Sequence, residues 1–152
     1  MNFPNLNISA PKKIDTDYYA LTIFPDLLFL EAFSSWDETV AEMLLFHVYE
    51  IVGTYYQDKT WALLSDATLW HHSTPSVAER IASADSNGIQ TSLKYHAMVS
   101  GGSALKEWQM TNMTKPGGTV ESRIFDSLAD AKAWVAALGF TVPDGHTCDT
   151  PQ

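Results

Sequence analysis

The run Trp61-Ala62-Leu63-Leu64 carries no polar residue on either parity. A strand built from it is apolar on both faces, and only a sheet covered by helices on both sides buries such a strand. The run leads through Ser65-Asp66 and Thr68-Leu69-Trp70 to His71-His72-Ser73-Thr74-Pro75, where a helical pattern begins. The passage reads as a central strand, a polar loop and a helix start. In a parallel sheet that junction is where ligands and regulatory chemistry gather.

The flanking segments fit the same kind of sheet. Tyr18–Phe24 is rich in β-branched and aromatic residues, Leu27–Phe33 is a second strand-like run, and Pro25-Asp26 between them is turn chemistry, which gives an antiparallel hairpin. Ser35-Trp36-Asp37-Glu38 has the form of a capping box. The helix it opens carries the stripe Val40, Leu44, Val48, Ile51 and Tyr55. His47, on that stripe, reads as a satisfied core or edge histidine. Thr74-Pro75 supplies a cap and a first helical residue for a second helix with Val77, Ile81 and Ala84 inside, closed by Asn87-Gly88. Leu93–Val99 is the next strand, with Leu93, Tyr95, Ala97 and Val99 on one face. Ser100-Gly101-Gly102-Ser103 leads to a third helix containing Leu105 and Trp108, and Lys115-Pro116-Gly117-Gly118 forms a loop. Val120–Phe125 is a last strand. Ser127 caps a final helix with the stripe Leu128, Ala131, Val135 and Leu138, stopped by Gly139.

The order β-β-α-β-α-β-α-β-α implies an α/β fold: a mixed, mostly parallel sheet of about five strands with four helices. Residues 1–17 read as an N-terminal arm, 18–142 as a single domain and 143–152 as a polar tail. The chain has 152 residues, 45% of them hydrophobic, enough for one core.

Nine basic residues against eighteen acidic ones give a net charge of -9. Such a surface repels phosphate backbones and anionic lipid, which argues against nucleic-acid binding and membrane docking. The apolar stretch from Val40 to Tyr56 carries Glu42, His47 and Glu50, too polar for a membrane span. Met1–Asn7 lacks the basic patch and apolar core of a secretion signal. Cys148 is the only cysteine, so no internal disulfide forms, which fits a cytoplasmic location.

Three clusters carry candidate chemistry. The first is His71-His72-Ser73-Thr74: free amides at a helix start attract an anion, and histidines titrate near neutral pH, although the same residues serve as a cap and solvated loop. The second is Ser65-Asp66, either a ligand carboxylate past a central strand or a turn-closing Asx residue. The third is Gly101-Gly102-Ser103, an anion cradle or a turn with Ser103 as N-cap. No histidine pair has a zinc-binding spacing, and His146-Thr147-Cys148 falls in the tail, so neither metal nor cofactor is expected. There is no Gly-x-Ser-x-Gly elbow, and no catalytic residue is assigned. Trp70 and Trp108 flank loops and are placed to line a small apolar pocket.

The element order resembles the anti-sigma-factor antagonist fold, the STAS superfamily, and more closely the small bacterial STAS-like or SEC14-like proteins. The resemblance covers Tyr18 to Phe140 and rests on two further patterns. One is Leu63-Leu64-Ser65-Asp66 running into a capped helix. The other is Phe125-Asp126-Ser127-Leu128-Ala129-Asp130-Ala131-Lys132-Ala133-Trp134 at the last strand-to-helix turn. In the antagonist branch an Asp-Ser-Ser/Thr-Gly segment opens the helix after the third strand, and its first serine is phosphorylated. An ungapped match places His71 on the aspartate, His72 on the phosphoacceptor, Ser73 on the second hydroxyl and Thr74 on the glycine, so the phosphoacceptor is not reproduced; Ser73 and Thr74 stand near enough to substitute.

The resemblance implies a non-enzymatic binding or regulatory module. It would take a protein partner or small ligand at the ends of the Trp61 and Leu93 strands, through Ser65, Asp66, His71, His72, Ser73, Thr74, Gly101, Gly102 and Ser103. It also implies a homodimer, through the hairpin edge or the first helix. A second reading is a SEC14-like carrier of a lipid or other apolar molecule, with Trp108, Met110 and Met113 around the third helix. A third is an enzyme acting on a small anionic metabolite through His72 and Asp66.

Overall fold

Six strands lie side by side in the order in which the chain makes them. The structure is a computed structural model that describes residues 12–57, 59–84, 93–112 and 120–141. The strands are β1 (Lys12–Asp15), β2 (Tyr19–Ile23), β3 (Leu27–Trp36), β4 (Trp61–Ser73), β5 (Leu93–Val99) and β6 (Glu121–Phe125). The helices are α1 (Glu38–Ile51), α2 (Pro75–Ala84), α3 (Ala104–Asn112) and α4 (Leu128–Ala137). β1, β2 and β3 pair antiparallel, while β3 through β6 run parallel. The sheet is therefore mixed and mostly parallel, with β4 inside it and parallel neighbours on both sides, as its two apolar parities require.

Helices cover both faces. On the first face, Leu21, Leu28, Leu30, Trp61, Ala67, Trp70 and Met98 meet Val40, Leu44, Val48 and Ile51 of α1, Val77 of α2 and Met110 of α3. On the second, Phe24, Leu27, Phe29, Ala62, Leu64, Ala97 and Val99 meet Ala131 and Val135 of α4. After Ile51 the chain winds into a wider π-type turn, Val52–Tyr56. This turn delivers Tyr56 into the core, where its ring stacks on Trp61 at 4.9 Å. The Tyr56 hydroxyl lies between the carbonyls of Phe24 and Leu27, at 2.7 and 2.9 Å, and fastens the hairpin turn to the helix end.

The termini of the last helix follow the sequence reading. Ser127 Oγ accepts from the amide of Asp130 at 3.2 Å. Gly139 takes φ +97. The amides of Gly139 and Phe140 then return to the carbonyls of Ala136 and Val135, a Schellman closure. Leu138, expected on the buried stripe, is exposed because the helix ends one turn after Val135.

Five other expectations are corrected. The expected arm contributes a strand: Lys13 pairs with Thr22 and Ile14 with Leu21, and one half-buried residue in four is too little alternation to read from sequence. That strand also covers the hairpin edge. The first helix is capped by Asp37, whose carboxylate accepts from the amide of Val40 at 3.1 Å, not by Ser35. β3 continues through Ser35 because Trp36 belongs to the core, edge-on to Tyr19 and Trp70, with its indole N–H donated to the Tyr18 carbonyl. Leu93 joins the first core and Tyr95 the second, because the β4–β5 register shifts between Trp61 and Ala62. The "loop" after Leu64 is strand: β4 continues to Ser73 alongside the long β3. Bulges at Glu31/Phe33 and Ser34/Ser35 break its two-residue period, and Ala67, Trp70 and Ser73 face inward at intervals of three. Trp70 is buried while Trp108 is exposed, so the two share no pocket.

Candidate functional site

β4 outruns its partner. Pairing with β5 stops at Asp66 opposite Val99, and beyond it β4 has β3 on one side only. The free backbone edge meets α3 instead. Lys106 Nζ donates to the carbonyls of Ala67 at 2.8 Å and Thr68 at 2.9 Å. The amide of Ser73 donates to Gln109 Oε1 at 3.3 Å. A helix thus stands where a further strand would, and its side chains satisfy the strand backbone.

The turn before α3 fixes that position. Ser100 is fully buried; its hydroxyl lies 3.1 Å from Glu107 Oε2 and 3.3 Å from the Phe125 carbonyl, and it accepts from the Gly102 amide at 3.1 Å. Gly101 takes φ +73 with Thr68 against it, so a glycine is needed there for its backbone angle. Ser103 Oγ accepts from the amide of Lys106 at 3.2 Å, the expected N-cap. The Gly102 amide is committed to Ser100, so this turn is packed by its own bonds. Asp66 is committed as well: one carboxylate oxygen accepts from the amide and the hydroxyl of Thr68, at 3.0 and 2.6 Å. This is the turn-closing use of the residue, at the β4 bulge.

Of the residues singled out in sequence, Asp66 and Gly101 come together at Thr68, with Gly102 and Ser103 following Gly101 in the same turn. The others do not. Ser65 points to the opposite face, where its hydroxyl meets His96 Nε2 at 2.8 Å. Burial pushes the His96 imidazole down to about 4, so the ring is neutral at pH 7. His71, Ser73 and Thr74 lie at the far end of β4, and at the strand rise of ~3.3 Å per residue Ser73 is roughly 20 Å from Asp66. His71 is exposed, and the His72 side chain lies outside the described residues. Ser73 is buried, while Thr74 is exposed with its hydroxyl 3.1 Å from that of Ser76. Ser76 in turn meets the Glu38 carboxylate, and Arg80 grips Glu42 at 2.6 and 3.2 Å. These contacts tie the start of α2 to α1. His146, Cys148 and Met113 lie outside the described residues. Among the described residues no three His, Cys, Asp or Glu side chains gather as a metal requires, and no helix is long and apolar enough to cross a membrane.

The structure adds residues the sequence reading passed over. Glu31 faces Asp66 in register, and Phe33 faces Leu69. These two rungs lie on the second face, beyond Phe29, Leu64 and Val99, where the α4-covered core ends. Half-burial lifts the Glu31 carboxyl above its usual range; the Lys13 ammonium draws it back, and the Asp66 carboxylate raises it further. Leu69 is 65% exposed, and on α3 Leu105 and Trp108 are 60% and 63% exposed. Parity could have flagged Glu31, which follows Leu27 and Phe29 on an otherwise apolar face. Met110, by contrast, is buried in the first core.

No family model matches the chain, and no curated protein matches it. Solved structures do. One is an uncharacterized protein of the DUF3478 family with a SpoIIAA-like fold from Shewanella loihica PV-4. It is 17% identical, with 82% of this chain and 91% of that one covered at a TM-score of 0.54. Another is the anti-sigma factor antagonist SpoIIAA in its unphosphorylated form, 8% identical, with 86% and 100% covered at a TM-score of 0.51. The antiparallel entry, the parallel strands from β3 onward and the helices on both faces are thus those of a STAS-like, SpoIIAA-like fold.

Proposed function

We propose that the chain is a non-enzymatic regulatory module of the kind represented by the antagonist it resembles in fold, working in the cytoplasm by binding a protein partner. The binding surface is the end of the sheet where β4 passes β5 and meets α3. The observation that carries this reading is the exposure of Leu69, Leu105 and Trp108 around one clamped junction. Large apolar side chains beside a polar rim are typical of a docking surface. Tagged wild-type protein and a Leu69→Ser/Trp108→Ser variant, used in parallel to capture partners from the source cells, test it. The wild type retains a partner at least about tenfold better than the variant. Equal retention by both proteins, or recovery of the bait alone, overturns the reading.

The module forms a homodimer through the outer face of α1. Met43, Phe46 and Tyr49 recur there at intervals of three and remain exposed, whereas the alternative contact, the hairpin edge, is covered by β1. Sedimentation equilibrium gives a dimer for the wild type and a monomer for Phe46→Glu. A monomeric wild type, or a dimer unaffected by Phe46→Glu, removes this contact.

A further inference from the structure

We infer that Ser65 is an acyl acceptor activated by His96, taking a short acyl group from a thioester or an activated ester onto its hydroxyl. Neither residue belongs to the docking surface proposed above.

Strand register builds the pair. Leu63, His96 and Ser122 form one rung across β4, β5 and β6, and Ser65, Met98 and Ile124 form the next. Both rungs stand on the first face, since Met98 belongs to that core. Ser65 and His96 are therefore diagonal neighbours on two interior strands, and the hydroxyl lies 2.8 Å from Nε2. A nucleophile and its base need this separation. Strand backbones carry both side chains, which fixes them more closely than loops would.

Two further conditions are a free base and access. Apart from the imidazole the two rungs carry no charged side chain, and burial keeps the ring unprotonated at pH 7. With its proton on Nδ1, the ring accepts from the Ser65 hydroxyl at Nε2, the polarity of general-base activation. Ser65 and His96 are each half-buried, and Ser122, beside His96 on its rung, is exposed. A small reagent reaches the pair from the β6 side, and the half-burial favours a short acyl group. An ionisable side chain held neutral by burial, with a nucleophile as its partner, is the pattern by which reactive sites are recognised.

The step balances within the pair. The Ser65 proton moves to Nε2 as Oγ bonds to the acyl carbon. The carbon–sulfur bond of a thioester, or the carbon–oxygen bond of an aryl ester, then breaks. The leaving thiolate or phenolate takes the proton from Nε2, so the imidazole returns neutral and Ser65 carries the ester. Nothing is oxidised or reduced. So weakly basic a ring gives assistance at the low end for a histidine, about a hundredfold.

The probe is p-nitrophenyl acetate on the full chain, with the acetyl group mapped by peptide mass spectrometry. An adduct forms at Ser65 in the wild type and is absent from that position in Ser65→Ala. His96→Gln, which keeps a hydrogen-bond partner for the hydroxyl, slows its formation about a hundredfold. The rate at Ser65 is level from neutral pH downward and falls with a midpoint of about 4, where the ring takes up its proton. A pair with only a structural role would instead react as an ordinary alcohol, in proportion to hydroxide. Circular dichroism shows which variants, and which pH values, retain the fold. No adduct at Ser65 in the folded wild type overturns the proposal. An equal rate in folded His96→Gln, or a rate that follows hydroxide, also overturns it. If His96→Gln does not fold, the pH profile of the wild type decides.

Discussion

Replacing Trp61 by alanine destabilises the fold by about 3–5 kcal/mol, the usual cost of emptying a large buried aromatic site. The residue is fully buried at the start of the central strand and stacked on Tyr56, whose hydroxyl holds the hairpin turn. The loss therefore reaches beyond one cavity. The Tyr56 ring loses its stacking partner, and the π-type turn loses the surface it packs on. Against a typical total of about 5–15 kcal/mol, that is a large share of the stability of a domain this size. Urea unfolding followed by circular dichroism gives the value. A change below about 1 kcal/mol would mean that Trp61 does not anchor the core.

Acid weakens the fold in a window set by His96. In the unfolded chain the imidazole titrates at its ordinary 6.5; in the folded protein burial lowers it to about 4. Between those values the unfolded chain binds a proton that the folded one excludes. Stability is complete above about 6.5 and falls as the pH drops toward 4. At about 1.4 kcal/mol per unit the loss reaches at most about 3 kcal/mol, less what solvent screens at this half-buried residue. Glu31 acts with the opposite sign, because its raised folded-state value makes protonation favour the native form. His96→Gln removes the titration while leaving Ser65 a hydrogen-bond partner. Denaturant midpoints from pH 7 to pH 4 then decline less steeply in the variant than in the wild type. Parallel declines would place the acid sensitivity elsewhere.

The parallel core was legible in the sequence because its signals are local. Trp61–Leu64 has no polar parity, the α1 stripe recurs by three and four, and Ser127 and Gly139 bracket α4 with cap chemistry. β4 was cut short because Asp66, Thr68, His71 and His72 look like a loop in any single-strand reading. What makes them strand is the length of β3 and two bulges that change which residues face inward, and both are tertiary facts. The same extension explains the candidate site. Gly101 and Asp66 converge as expected of segments ending on one rim, whereas seven further residues of strand carry Ser73 and Thr74 away. Lys106 was unreadable for a related reason: a lysine in a short polar helix gives no sign that its ammonium will serve two backbone carbonyls of a distant strand.

The borders of the sheet have their own consequence. β1 presents Lys12 and Lys13, and β6 presents Glu121 and Arg123, all exposed. A charged outer strand is a poor template for another chain, since pairing would have to strip water from its side chains. Stripping β1 away would bare β2, with its buried row Tyr19, Leu21 and Ile23. Among the described residues it is thus Lys12–Asp15 that shield the backbone of β2 from pairing with another chain.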